Sequence, residues 1–289
     1  MPSDEIAAAT IAAGASRARV VAVASGKGGV GKTNVSVNLA AAQAMAGKRV
    51  WLLDADLGLA NVDVLLGLQV GRNLSHVLGG ECELADILID GPSGMKIIPA
   101  SSGVQQMASL SALDSANLVH AFSELADELD LLVVDSSAGI SHSVTMFASA
   151  ADDVLVVVCD EPASITDAYA LIKVLSRDHG VRRVRVLANM VRSAKQGQIL
   201  YRKLARVTDR YLDVVARYAG YVPHDDLLQR ALRKRKPVVT AFPETRATQA
   251  FKKLAESVDT WDRPDGASGG IQFFLESAVG PVGSGRAEA

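Results

Sequence analysis

Short apolar runs recur along the chain between residues 19 and 222, and polar or alanine-rich stretches separate them. Most of these runs are hydrophobic at almost every position, which is typical of strands that are buried on both faces of a sheet. The pattern predicts strands at residues 20–24, 50–53, 96–99, 131–134, 154–159, 184–188 and about 216–222.

Helix-favouring segments lie between most of the predicted strands, for example at residues 115–129, 166–177 and 198–213. This alternation predicts an α/β fold with a doubly wound, mostly parallel sheet and right-handed crossovers. Ligands bind such sheets at the carboxyl ends of the strands. We therefore expect the functional residues in the loops that follow the strands.

The loop after the first predicted strand has the spacing G-x-x-x-x-G-K-T of a phosphate-binding P-loop. Its glycines let successive backbone N–H groups turn toward phosphate oxygens, and the following helix adds the positive end of its dipole. Lys32 is placed to neutralise the β- and γ-phosphates, and Thr33 to bind Mg²⁺. The sequence thus predicts a site for a nucleoside triphosphate. Its candidate residues are Gly26, Lys27, Gly28, Gly29, Val30, Gly31, Lys32 and Thr33.

Acidic residues follow two further predicted strands. Asp54 and Asp56 come after residues 50–53, and Asp135 comes after residues 131–134. Asp56 is a candidate to orient or deprotonate the attacking water, whereas Asp54 and Asp135 are candidates to hold Mg²⁺ through its water shell. An aspartate at the end of a strand often only caps the next helix. The nearby P-loop favours the catalytic interpretation.

Polar residues after the last two predicted strands are candidates to contact the base. Asn189 follows one strand, and Pro223 and Asp225 follow the next. An asparagine amide pairs with both the donor and the acceptor edge of adenine. Composition alone supports a turn-forming role for Asn189 equally well, and this residue does not exclude guanine.

Charge is distributed unevenly along the 289 residues, although the net charge is only −2. Residues 1–172 hold 8 Lys and Arg against 20 Asp and Glu, whereas residues 173–236 hold 17 against 5. The basic block is either a surface for DNA, anionic lipid or an acidic partner, or a set of ordinary solvated helix faces. Two isolated cysteines, no signal peptide and no long apolar run predict a cytoplasmic protein.

The site motifs resemble those of the MinD/ParA family of P-loop ATPases. Residues 27–33 resemble the deviant Walker A motif of that family, residues 54–63 its switch I, and residues 135–139 its switch II. Asn189 and the Val222-Pro223 pair match its adenine-recognition positions. Four further segments resemble the branch of flagellar-number regulators called FleN or FlhG, namely residues 34–39, 61–68, 159–173 and 185–190.

The resemblance implies a weak ATPase that uses ATP and Mg²⁺ and works as a switch between an ATP-bound dimer and an ADP-bound monomer. Lys27 would reach across the dimer to the partner's phosphates, and Asp56 would be the water-positioning base. Asn61 and Gly139 would be dimer contacts. Asn34, Asn189, Pro223 and Asp225 would complete the ATP site begun by the P-loop.

The resemblance also implies partners: an enhancer-binding transcription activator of the FleQ type, and FlhF, a GTPase of the signal-recognition type. Residues 1–19 lack the Gln- and Arg-containing motif by which some of these regulators stimulate that GTPase. On this interpretation no direct DNA binding is expected. The alternative is a ParA-type partition or positioning ATPase that binds DNA through residues 202–236.

The predicted domain organisation is a flexible extension at residues 1–18, a MinD-like ATPase domain at 19–261, a linker at 262–270, a short amphipathic helix at 271–279 and a disordered tail at 280–289. In relatives a helix in that place reaches the inner face of the membrane or the cell pole. Here it carries Glu276 and no Lys or Arg, so anionic lipid would not attract it by charge, and the alternative is that it folds back on the protein. Ser137 stands where relatives usually have Pro, which predicts a less constrained switch II and slower hydrolysis.

Overall fold

The computed structural model describes residues 18–56, 62–99, 122 and 128–262. The predictions for Asn61 and for residues 1–17 and 263–289 lie outside these ranges, as does most of the helix predicted at 115–129. The strands are β1 (Arg19–Ser25), β2 (Val50–Ala55), β3 (Ile89–Asp90), β4 (Lys96–Pro99), β5 (Leu131–Ala138), β6 (Asp153–Val158), β7 (Arg183–Val191) and β8 (Val215–Pro223).

The helices alternate with these strands, and a 3-10 turn lies at Pro92–Gly94. They are α1 (Lys32–Met45), α2 (Val62–Leu66), α3 (Leu74–Leu78), α4 (Leu84–Ile87), α5 (His142–Ala150), α6 (Pro162–His179), α7 (Ala194–Tyr211), α8 (Asp226–Arg233), α9 (Val238–Ala241) and α10 (Arg246–Asp259).

The eight strands form one sheet in the order β3-β4-β2-β5-β1-β6-β7-β8. All neighbouring strands are parallel except β3, which pairs antiparallel with β4 at one edge. The predicted doubly wound, mostly parallel sheet is therefore confirmed. The sequence pattern missed β3, which is only two residues long.

The alternating side chains of β1 explain why its sequence is hydrophobic at every position from Val20 to Ala24. Val20, Ala22 and Ala24 belong to the core cluster that α5, α6 and α7 cover, whereas Val21 and Val23 belong to the cluster under α1 and α10. Successive side chains of a strand point to opposite faces, so a strand between two helical layers has no polar face.

Several elements extend beyond the predicted bounds. β5 continues through Asp135 to Ala138, because the Ser136 hydroxyl donates to Val23 O at 3.0 Å and pairing with β1 persists. α6 begins at Pro162 rather than residue 166, since proline fits the first helical turn, where its missing N–H is not needed. α7 begins at Ala194, four residues before the predicted start, and it ends at Tyr211, two residues before the predicted end.

The end of α10 is fixed to the amino ends of the central strands. The Arg19 guanidinium donates to Val258 O and, at 2.6 Å, to Trp261 O, and it lies 3.6 Å from the Asp153 carboxylate. Among the residues that the structure describes, no helix is long and apolar enough to cross a membrane.

Candidate nucleotide-binding site

The P-loop joins the end of β1 to the start of α1, as its motif predicts. Gly31 has φ +84°, and a Cβ atom added to it would lie 2.6 Å from Asn189 Nδ2. A Cβ added to Gly26 would lie 2.1 Å from the Asp167 carbonyl. Both ends of the loop therefore need glycine. Gly28 and Gly29 are exposed between them, and Thr33 is half-buried in the first turn of α1.

Lys32 and Asp135 form a buried ion pair at the base of the loop. Lys32 Nζ lies 3.0 Å from Asp135 Oδ1, with exposed side-chain fractions of 7% and 0%. The Ser36 hydroxyl donates to the same oxygen at 2.8 Å, a contact that the sequence analysis did not predict. Asp135 Oδ2 is buried and has no hydrogen-bond partner among the described residues. This oxygen is an unused acceptor beside the loop.

Asp54 lies directly opposite Asp135 in the register of β2 and β5. Burial, and then the negative charge of Asp135, raise the pKa of Asp54 to about 7. Its oxygens accept long hydrogen bonds, both 3.3 Å, from the N–H groups of Val62 and Asp56. Two adjacent buried carboxylates repel each other, so a cation between them would stabilise both in ionised form.

These carboxylates and the unused oxygen of Asp135 fit the donor set that Mg²⁺ prefers. Thr33, Asp54 and Asp135 would hold the ion, as the sequence predicts. The ion would neutralise charge on the β- and γ-phosphates.

Asp56 follows β2 and is linked to switch II. Its Oδ1 accepts a hydrogen bond of 2.8 Å from the Ser137 hydroxyl. The N–H of Gly139, with φ +105°, donates to Ser25 O at 2.9 Å and so ties this loop to the start of the P-loop. The structure therefore places the predicted base, switch II and the P-loop together.

Lys27 lies at the mouth of the P-loop. Unlike Lys32, it pairs with a carboxylate other than Asp135. Its ammonium forms an ion pair with Glu161, which precedes α6. The hydrogen bond to Glu161 raises the pKa of Lys27. Sequence reasoning missed this pairing, since the two residues are 134 positions apart.

The predicted base-contacting residues surround a cavity of about 180 Å³. The Asn189 amide is 5% exposed and donates to Val30 O at 2.7 Å, so one amide hydrogen is already used in holding the P-loop. The oxygens of Asp225 accept from Leu227 N at 2.9 Å and Ala247 N at 3.3 Å, which makes this carboxylate a helix cap. The predicted site residues among those lining the cavity are Gly31, Asn34, Asn189, Pro223 and Asp225.

Comparison with known proteins agrees with this geometry. Residues 16–259 match the ParA family model, described as NUBPL iron-transfer P-loop NTPase. The chain is 55% identical over 269 residues to the antiactivator FleN of Pseudomonas aeruginosa, a match that covers 93% of this chain and 96% of FleN. The chain belongs to the MinD/ParA family of P-loop ATPases.

Two further relatives support this family assignment. The flagellum site-determining protein YlxH of Helicobacter pylori is 34% identical, over 82% of this chain and 80% of YlxH. The solved MinC:MinD cell division complex of Aquifex aeolicus contains a chain that is 28% identical and superimposes with a TM-score of 0.67. That match covers 87% of this chain and all of the other.

Exposed apolar side chains occur in several segments of this MinD/ParA-family ATPase that lie near predicted site residues in the sequence. Val64 is 70% exposed in α2, Ile140 is 52% exposed just after Gly139, and Met190 is 41% exposed next to Asn189. Ile140 follows β5, and Met190 lies in the last residues of β7. Both therefore lie near the carboxyl ends of parallel strands, where such sheets bind ligands.

Proposed function

We propose that this chain is an ATP-dependent regulatory switch that dimerises when ATP is bound, hydrolyses ATP weakly, and controls flagellar number. The observation that carries the proposal is the position of Lys27 at the exposed mouth of the P-loop. There, within the part of the chain that the structure describes, its ammonium is held only by a surface pair with Glu161. A cation in that place is available to a second subunit, whereas Lys32 and Asp135 are buried within their own subunit.

The geometry supports the following chemical roles. The P-loop N–H groups and Lys32 would bind the phosphates, and Thr33, Asp54 and Asp135 would hold Mg²⁺. Asp56 orients the attacking water, with its carboxylate held by Ser137. Lys27 from the facing subunit stabilises the charge that develops in the transition state, so hydrolysis depends on dimerisation.

The same contacts support a nucleotide-dependent switch. Asp56 and Gly139 belong to the two loops nearest the expected γ-phosphate position, and Ser137 connects them. Loss of the γ-phosphate would release both loops and weaken the dimer. Asn61 and Gly139 would lie in the dimer contact, as the family resemblance implies.

The partners are proposed from the relatives. One relative is called an antiactivator and another a flagellum site-determining protein. We infer that the dimer binds a FleQ-like enhancer-binding activator and that FlhF is a second partner. Residues 19–261 would form the ATPase domain, followed by a linker at 262–270 and an amphipathic helix at 271–279. That helix would bring this otherwise cytoplasmic protein to the membrane surface or cell pole.

The alternative of direct DNA binding receives less support. The basic block is divided between α7 on one face of the sheet and α8 on the other. Some of its cations are paired, since Lys203 lies 3.5 Å from Asp160 and Arg182 lies 2.6 Å from Asp213. A DNA surface needs cations along one continuous stripe.

The proposal is tested by comparing Lys27→Ala with Lys32→Ala. Lys27→Ala should bind a fluorescent ATP analogue with near-normal affinity yet lose hydrolysis by about a thousandfold, the scale of a charge supplied in trans. Lys32→Ala should lose binding itself. If Lys27→Ala also fails to bind the analogue, the trans role is wrong.

A further inference from the structure

A second and larger cavity, of about 540 Å³, lies at the outer edge of the sheet. Its walls come from the turn after β7, from β8 and from α10, and we call it the edge groove. β8 is the last strand in the sheet order, so among the described residues its outer edge pairs with no other strand. The groove shares Pro223 with the base-side cavity.

Three cations line the edge groove, namely Arg192, Arg246 and Lys253. All three are exposed, and none of their side chains has an ion pair or hydrogen bond with another described residue. Glu244 is the one acidic residue among those lining the groove. By contrast, Arg217 on β8 is neutralised by an ion pair with Asp262 at 2.5 Å. The groove therefore carries uncompensated positive charge.

Two of these cations lie beside helix N-termini, where the backbone N–H groups carry a partial positive charge. α7 and α10 both begin at the groove, capped by Ser193 and Thr245, and neither has an acidic residue in its first turn. Arg192 precedes the first of these caps and Arg246 follows the second. Acidic residues are the favourable choice at a helix N-terminus, and cations there are repelled by the helix dipole. At α7 this arrangement favours a bound anion, whereas the first turn of α10 already donates from Ala247 N to the Asp225 carboxylate at 3.3 Å.

The floor of the groove is apolar. Leu187 and Leu254 are almost fully buried beneath it, and Ala219 and Ala250 are half-buried. An apolar floor does not suit a phosphate backbone, whose oxygens remain hydrated. It suits a peptide that presents apolar and acidic side chains together.

We propose that the edge groove is a docking site for an acidic segment of a partner protein. Its carboxylates lie among Arg192, Arg246 and Lys253, and an apolar side chain packs against Leu254. The peptide chain runs beside the outer strand β8. This proposal goes beyond the nucleotide switch and does not require that Lys27 act in trans.

The experiment measures fluorescence anisotropy of a labelled eight-residue peptide of alternating glutamate and leucine, titrated with the full-length protein. A peptide with lysine in place of glutamate is the charge control. The variant is Arg192→Glu with Arg246→Glu. Its matched control is Arg206→Glu with Arg210→Glu, which makes the same change in charge on exposed positions of α7 away from the groove.

We expect the acidic peptide to bind the wild type and the control variant alike, and the groove variant at least tenfold more weakly. The lysine peptide should not bind the wild type. Affinity should fall as salt rises, because the contacts are exposed. Binding of a fluorescent ATP analogue by the groove variant shows that it is folded and separates this test from that of the switch.

Three results would overturn the proposal. One is equal peptide affinity of the groove and control variants. Another is complete displacement of the peptide by millimolar inorganic phosphate, which would indicate a small-anion site. The third is retention of duplex DNA by the wild type and the control variant but not by the groove variant, which would make the groove part of a nucleic-acid surface.

Discussion

The hydroxyl of Ser137 donates a hydrogen bond of 2.8 Å to Oδ1 of Asp56. The two residues are 81 positions apart, and they belong to the neighbouring strand ends of β5 and β2. The sequence predicted a less constrained loop because serine replaces the usual proline. A proline has no hydroxyl and could not make this contact, so the serine supplies a link between the two switch loops.

The Ser137 contact predicts a specific kinetic defect. Ser137→Ala should lower kcat for ATP hydrolysis about tenfold, since a hydrogen bond to a charged group is worth about 1.5–3 kcal/mol. KM should stay nearly constant, because the bond positions Asp56 and not the nucleotide. Ser137→Thr retains the hydroxyl and should restore most of the rate. Steady-state kinetics that show an unchanged kcat for Ser137→Ala would refute the positioning role.

Asp54 predicts a dependence of stability on pH in the metal-free protein. Its pKa rises from the ordinary 3.8 to about 7 in the folded state, so between these values the folded protein retains a proton that the unfolded chain has released. Stability should therefore fall as pH rises from 4 to 7, by about 2–4 kcal/mol from this group. Asp54→Asn removes this loss.

Denaturant unfolding at several pH values checks the prediction for Asp54. Asp54→Asn should be more stable than the wild type at pH 8, and the difference should shrink to near zero below pH 4. A difference that is constant across this range would show that the carboxyl does not titrate as described.

The backbone angle and close surroundings of Gly31 predict that a larger residue at this position disturbs the nucleotide site. Gly31→Ala puts a Cβ 2.6 Å from the Asn189 amide, in a residue with φ +84°. Gly47→Ala is the matched control, because Gly47 has φ +90° and open space around it. Both variants should lose about 1–2 kcal/mol of stability through backbone strain, and Gly31→Ala should lose more than this because its Cβ also clashes with the Asn189 amide. Only Gly31→Ala should lose ATP binding, measured with the fluorescent analogue. Equal affinities would argue against the Gly31–Asn189 contact as part of the site.

Asp153 predicts a stability effect far from the nucleotide. Its carboxylate lies 3.6 Å from Arg19 and 3.5 Å from Arg185, and all three side chains are about 90% buried or more. Asp153→Ala leaves two buried guanidinium groups without this partner and should cost about 3–5 kcal/mol. Asp90→Ala breaks an exposed pair with Lys96 and should cost less than about 1 kcal/mol. Thermal unfolding that shows similar losses for both variants would contradict this assignment.

Much of the fold follows from local pattern. The runs around Val20 and Val154 read as buried strands because both of their faces are covered, and the P-loop motif fixes the chain between β1 and α1. Short elements such as β3 and α9 gave no signal, since two residues of strand or four of helix contain only about one hydrophobic period, and a pattern needs several. β5 is longer than predicted because polar residues at its end, such as Ser136, continue the contact with β1.

The site was predictable in composition but not in its pairings. Asp54, Asp56 and Asp135 were found because each follows an apolar run beside a P-loop. The bonds of Ser137 to Asp56 and of Lys27 to Glu161 join residues 81 and 134 positions apart, so they depend on the order of strands in the sheet. The capping of α8 by Asp225 was missed because a residue after a strand and before a helix can serve either element.

We propose that ATP makes this protein a dimer in which Lys27 acts across the interface. Light scattering measures the molar mass with ADP and with ATP, using Asp56→Ala to suppress turnover. We expect a dimer with ATP and a monomer with ADP, and the wild type should be a dimer only until its ATP is consumed. A monomer in both nucleotides would contradict this proposal, because Lys27 would then have no second site to serve.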